Sequence, residues 1–261
     1  MGKNIVYTTR ISKTLSLLKE TKLLFQELDD GRTNEEIYQM VLEDNLFDKT
    51  SLASRKKTYS VLKNRFLIDN RVNATILQRI INSNLSENII NHIIYYYFSK
   101  SEDIVYEITT KVLYEMYLEG KSIISKKDIS EFLESQSKNH KEIEDWSEST
   151  KEHIAQHYLA IMRDFGFLKG KHKKQFDIPS VPTEVILFIL FEKLDQNENI
   201  KQILNSDDFK LFFLEKEDLI HYFEEGTRLG YIRFNYTKDI YDLNNLGNTL
   251  EAYVNDITGK V

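Results

Sequence analysis

Apolar residues recur at intervals of three and four along most of the chain, and the recurrence predicts helices. Between Thr14 and Leu28, the side chains of Leu15, Leu18, Phe25 and Leu28, with the stem of Lys22, share one helical stripe that Asp29-Asp30-Gly31 ends. Thr33 followed three residues later by Glu36 has capping-box spacing and opens a second helix through Ile37, Met40 and Val41. Thr50 or Ser51 is the next N-cap, and a third helix runs to about Leu67. Further helices are predicted over 73–83, 86–98 and 102–118, the last stopped at Glu119-Gly120. Another over 150–165 places Ile154, Tyr158, Ile161 and Phe165 on one face. Residues 134–150 are polar and acidic and predict a long surface connection.

The pattern changes after Phe165. In FGFLKGKHKKQFDIP apolar pairs flank Gly170 and a basic tip, which predicts a hairpin over 165–178. Helices at 183–195, 207–213 and 215–228 then precede alternating Tyr231, Phe234, Tyr236, Ile240 and Tyr241, a second hairpin over 229–243. Only two prolines and nine glycines interrupt the chain, in keeping with long helices. The expected fold is mainly α, a bundle-like protein with helix-turn-helix or winged-helix elements and one or two short β-hairpins. Two domains are expected, 1–120 with a helix-turn-helix at 33–67, and 121–261 with both hairpins.

Composition narrows the setting. With no cysteine, disulfides and thiolate metal sites are excluded. The N-terminal segment lacks the apolar core of a signal peptide. The longest apolar run, Val185 to Phe191, is far short of the roughly 20 residues that span a bilayer, so a cytoplasmic location away from membranes is expected.

Charge adds a more specific signal. The chain is acidic overall, net −6, yet residues 1–80 hold fourteen Lys and Arg against ten acids. Residues 49–71 hold seven Lys or Arg and a single acid, Asp69. At about 100° per residue, Leu52, Tyr59, Leu62 and Phe66 make a buried stripe on the third helix. Ser54, Lys57, Ser60, Val61, Asn64 and Arg65 then face outward, with Arg55, Lys56 and Lys63 along the edges and Arg71 just beyond. Long cations, small hydroxyls and an amide suit the second helix of a helix-turn-helix on duplex DNA. The bland reading is a solvated basic face, against which stands the lack of acidic i,i+4 partners within the helix. A second basic cluster, Lys169, Lys171, His172, Lys173 and Lys174, sits at the first hairpin's tip. It suits phosphate contacts, and equally the lysines with which an edge hairpin avoids pairing with another sheet.

Other constellations carry less. His153 and His157 stand four apart, but HIAQH lacks the glutamate of a zinc-protease motif and a third ligand, so no metal site is expected. Asp207 and Asp208 suit a helix N-terminus, and Glu224-Glu225 and Asp29-Asp30 a solvated surface. Trp146 reads as a buried anchor, and Tyr95, Tyr96, Tyr97, Tyr106, Tyr114 and Tyr117 as core. There is no Walker loop, dinucleotide fingerprint or nucleophile elbow, so neither enzymatic activity nor a cofactor is expected.

Four segments together resemble the BrxA family of the BREX (bacteriophage exclusion) defence systems. They are TRISKTLSLLKETKLLFQEL, EEIYQMVLEDNLFDKTSLASRKKTYSVLKNRFL, DWSESTKEHIAQHYLAIMRDFGFLKG and ILNSDDFKLFFLEKEDLIHYFEEGTRLGYIRF, in the same order over nearly the whole chain. The resemblance implies an α-rich, non-enzymatic protein with helix-turn-helix elements that binds double-stranded DNA. Its implied partners are the other BREX proteins: methyltransferase, ATPase and phosphatase-like components. The competing reading is a protein–protein adaptor within such a complex, with no direct DNA contact.

Overall fold

In the computed structural model, residues 7–29, 31–171, 173–238 and 240–259 are described. Asp30, at the expected stop of the first helix, and His172, of the second basic cluster, lie outside the described residues. The chain is mainly helical, with two small antiparallel sheets.

The N-terminal helices are α1 (Leu18–Asp29), α2 (Asn34–Glu43), α3 (Leu52–Leu62) and α4 (Ala74–Ile81). Thr33 caps α2 as its spacing predicts: the hydroxyl accepts from the Glu36 amide at 3.2 Å, and the Glu36 carboxylate accepts from the Thr33 amide at 2.7 Å. The Thr33 amide and hydroxyl, both donating to the Glu36 carboxylate, hold that carboxyl below its ordinary range. Ser51 caps α3, whose last turn widens into a π-helical segment, Lys63–Ile68.

Two helices are apolar on every side and form the centre of the molecule. One is α5 (Glu87–Ser101), where Ile93 to Phe98 are all fully buried; the other is α11 (Thr183–Asp195), where Val185 to Phe191 are. The longest apolar run is therefore core, and among the described residues no helix is long and apolar enough to cross a membrane. From α5 the chain continues through α6 (Asp103–Ile108), a π turn (Thr109–Leu113) and α7 (Tyr114–Leu118). Gly120, at φ 71°, ends this run where the sequence places the stop. Five of the six tyrosines expected in the core are buried or half-buried; Tyr117 is more exposed and packs its ring on Phe176 and Phe213.

A compact unit follows: β1 (Ile123–Ile124), α8 (Lys126–Ser137), α9 (Lys141–Glu144), α10 (Glu148–Asp164), β2 (Leu168–Lys169) and β3 (Lys174–Phe176). Its sheet has the order β1-β3-β2, with Ile124 opposite Lys174 and Lys169 opposite Gln175. Here the structure corrects the expectation of a long surface connection over 134–150. A Ser125–Asp128 capping box starts α8, Ile129 and Leu133 bury its inner face, and α9 seats Ile143 in the core. Trp146 is half-buried against that core.

The chain ends with α12 (Ile200–Leu204), a 3-10 turn (Asp207–Phe212), α13 (Lys216–Arg228), the hairpin β4 (Arg233–Thr237)–β5 (Ile240–Asn244) and α14 (Leu250–Thr258). Asp208 stands at a helix start as expected, in the first turn of the 3-10 segment, and is buried there between α5, α6 and α11. It accepts from Lys100 at 3.0 Å and from the Tyr106 hydroxyl at 2.7 Å, and pairs with Lys193 at 2.8 Å.

Gly226 allows α13 to approach α11. A Cβ there would stand 2.7 Å from Leu187 Cδ2 and 3.2 Å from Ile232 Cδ1, both on buried side chains. Overpacking of this kind costs about 1–3 kcal/mol, and alanine's helix propensity returns at most about 1 kcal/mol. Gly226→Ala is therefore expected to lower the urea midpoint without changing the slope of the transition. A raised midpoint would show that Leu187 and Ile232 repack freely.

Candidate nucleic-acid interface

A basic surface lies around α10. Ser147 caps this helix through the Thr150 amide at 3.2 Å, and Ile154, Tyr158, Ile161 and Met162 fasten its inner face to the core. The outer face is polar: Ser149, His153, Gln156 and Arg163 are exposed, with Ala160 half-buried between them and the exposed acids Glu152 and Asp164 at its edges. Beside this ridge the β2–β3 hairpin turns at Gly170, whose φ is 95°. The ammonium of Lys174 folds under the turn and donates to the Gly170 carbonyl at 2.6 Å.

Between α10, β1, the start of α8 and this hairpin lies a groove of about 600 Å³. Lys126, Lys127, Arg163, Lys171, Lys173 and Lys174 line it, and no acidic residue does among those described. Lys126 pairs with Glu152 at 2.9 Å, Lys127 with Glu131 at 3.5 Å and Arg163 with Asp164 at 3.2 Å. Exposed pairs of this type are worth little and exchange easily for a phosphate.

The residues singled out in the sequence are scattered. Lys171 and Lys173 stand exposed at the hairpin tip, and Lys169 pairs with Asp177 at 2.9 Å. Lys174 is a correction: it is buried, and burial, aided by Arg163, lowers its pKa. On α3, Ser54 and Lys57 line a second groove, described below, while Lys56 and Lys63 border a separate hollow beside Glu35. Arg55 is tied to the Leu42 carbonyl at 2.6 Å, Asn64 to its own helix at the Ser60 carbonyl, and Arg71 to Asp69 and Asp103.

Arg65 is the largest correction. Expected to face outward, it is fully buried, donating to Glu102 at 2.6 Å with its guanidinium 4.6 Å from the Phe98 ring centroid. Burial pulls its pKa down, against the pull of Glu102. Leu52, assigned to the buried stripe, is 51% exposed. The buried arc of α3 is thus displaced toward Thr58 and Arg65, because a buried carboxylate waits there.

The helix at α10 is legible in the sequence, but its place beside the groove and that of the lysine pair Lys126-Lys127 are not. The available signal was an acid-free stripe of His153, Gln156, Ala160 and Arg163 at helical spacing, immediately ahead of the basic hairpin. His153 and His157 stack with centroids 6.2 Å apart, and His157 Nδ1 is bonded to the Ile11 carbonyl oxygen at 2.7 Å. Among the described residues no group of three or more His, Cys, Asp or Glu is arranged to hold a metal ion.

Comparison with known families gives a match to BrxA over residues 5–193. The chain belongs to the BrxA family. A relative described as the BREX protein BrxA of Bacillus cereus (strain H3081.97) is 24% identical over 189 residues, which are 71% of this chain and 91% of that one. The fold of this chain is also similar to the crystal structure of an uncharacterized protein from Magnetospirillum magneticum. That likeness has a TM-score of 0.63 at 14% identity and covers 80% of this chain and 99% of the other. Both α10 and the basic hairpin fall within the segment matched to BrxA, whereas the β4–β5 hairpin lies beyond it.

The turn at Gly170 offers a local test. A Cβ there would fall 2.1 Å from the Lys173 carbonyl oxygen, and φ lies in the region that favours glycine. Gly170→Ala is expected to open the hairpin at a cost of about 1–3 kcal/mol of strain. Urea denaturation should show that loss with little change in helical circular dichroism; an unchanged midpoint would show that the turn absorbs the added methyl without strain.

Proposed function

We propose that this BrxA-family protein is a non-enzymatic, double-stranded DNA-binding component of a BREX defence system, acting through α10 and the β2–β3 hairpin. The observation that carries the reading is the groove beside α10, where five exposed cations and no acid line one described surface. The element order supports it. A strand, helices α8 and α10, and a closing hairpin, with sheet order β1-β3-β2, follow the plan of a winged helix. In that plan α10 enters the major groove and the hairpin is the wing.

The chemistry of the ridge fits this role. Gln156 can pair with an adenine edge and Arg163 with a guanine, while Ala160 permits close approach. The lysines supply phosphate contacts, which position the protein on DNA without specifying a sequence. An overall charge of −6 makes these local cations decisive, because the rest of the molecule repels a polyanion. Arg65, Arg55, Arg71, Asn64 and Lys174, whose donors are engaged within the fold, serve as scaffold in this reading.

The test is the affinity for a random-sequence duplex measured across a range of salt concentrations. Five or so phosphate contacts predict a slope of log K against log salt of about −4 to −5. Absence of binding at low salt would reject direct DNA contact and leave the adaptor role.

A further inference from the structure

A second basic groove lies on the opposite flank of α10. It measures about 890 Å³ and gathers Lys13, Lys19, Lys22, Lys49 and Lys57 from three parts of the chain. Its acids are Glu20 and Asp164; the first is paired with Lys49, and the second accepts from Ser16 at 2.8 Å and from Arg163. Lys22 is paired with Glu87, and Lys57 donates to the Lys13 carbonyl at 2.9 Å. Lys13 and Lys19 are exposed, and neither ammonium has an acidic partner among the described residues. The groove therefore holds more cation than its acids neutralise.

Its position relative to α10 gives it meaning. His157 and Asp164 of that helix face this groove, whereas Gln156, Ala160 and Arg163 face the hairpin groove. At about 100° per residue the two sets lie on either side of one ridge, with His153 at its crest. An α-helix with its side chains is about 10–12 Å across and the major groove is about 12 Å wide, so an inserted helix brings a sugar–phosphate backbone against each flank. Cations on one flank reach one strand; cations on the other reach its complement.

We infer that the Lys13–Lys19 groove binds backbone phosphates of the second strand of the duplex whose first strand lies on the hairpin groove. This rests on the reading of α10 as the helix that enters DNA. It makes the site bipartite, with the 13–22 segment acting as a grip that a winged helix by itself lacks. The N-terminus of α1, which opens on the same groove, adds a favourable dipole for an anion.

The experiment compares the full-length protein with Lys13→Glu/Lys19→Glu and with Lys171→Glu/Lys173→Glu on a 20-base-pair random duplex. All three would be read by salt-dependent affinity and hydroxyl-radical footprinting. Lys13→Gln/Lys19→Gln replaces the first variant should it fold poorly. The inference expects wild type to protect both strands. It expects the Lys13/Lys19 variant to lose about tenfold or more in affinity and about two in the magnitude of the salt slope, with protection vanishing from one strand only. A Lys13/Lys19 variant that binds like wild type, while the hairpin variant is impaired, overturns the inference and leaves the DNA reading standing. Wild type that binds no duplex at all overturns both. A final arm titrates inorganic triphosphate: tight binding lost in the Lys13/Lys19 variant, with the footprint unchanged, assigns the groove to a free anion and also overturns the inference.

Discussion

Asp208→Ala is expected to cost about 3–5 kcal/mol, the penalty for removing one partner of a buried ion pair. The carboxylate is nearly inaccessible and meets two lysines and the hydroxyls of Tyr96 and Tyr106. Truncation strands Lys193, whose side chain is also buried and whose other acidic contact, Glu198, is at 3.5 Å. Against a typical domain stability of about 5–15 kcal/mol, the loss is large. Urea denaturation checks it, and a midpoint unchanged from wild type would mean that water already solvates the cluster.

The same group sets a pH dependence. Burial alone would raise the Asp208 carboxyl, but Lys100 and Lys193 outweigh it and hold the group well below its ordinary value of 3.8. A carboxyl depressed in the folded state contributes stability that is complete above its unfolded pKa and is lost as pH falls toward the folded one. Acid unfolding of wild type should therefore steepen below about pH 4, and Asp208→Asn should flatten that limb. Neighbouring Glu192 shifts the opposite way: burial raises its pKa, although the Tyr96 hydroxyl donates to it at 2.5 Å.

Lys171→Glu/Lys173→Glu should weaken duplex binding roughly tenfold to a hundredfold at about 0.1 M salt and reduce the magnitude of the salt slope by about 2. Both residues are exposed at the hairpin tip and face the groove, so folding stability should move by less than about 0.5 kcal/mol. The two measurements separate cause from collateral damage. Wild-type affinity in this variant would remove the hairpin from the binding surface.

Features written in local chemistry are legible in the amino-acid order alone. Thr33 and Glu36 cap α2, Ser51 caps α3, the predicted 183–195 helix is Thr183–Asp195, and both hairpins form. Most missed elements are too short or too polar to show a period: β1 with two residues, α12 with five, and α8 behind its acidic surface; α14 was missed too, although Leu250, Tyr253 and Val254 give it one. The site was harder to read because burial of a charge depends on a distant partner. Arg65 meets Glu102, 37 positions away, and Asp208 meets Lys100, 108 positions away. Neither pairing leaves a trace in periodicity. Nor could the 49–71 stretch reveal that most of its donors hold the fold together, while exposed cations from elsewhere in the chain stand on either side of α10.

The two all-apolar helices also constrain how the protein is made. α5 leaves the ribosome well before α11, the helix that covers it, and α4 waits longer still for α14, whose Asn255 accepts from Arg79 at 2.6 Å. At about 5–20 residues per second, the interval between α5 and α11 is on the order of ten seconds. Through that time Arg65 already lies over Phe98, but the flank of Tyr96 and Tyr97 that meets Phe188 has no permanent cover. Slower synthesis between these helices would lengthen the exposure and favour aggregation over folding.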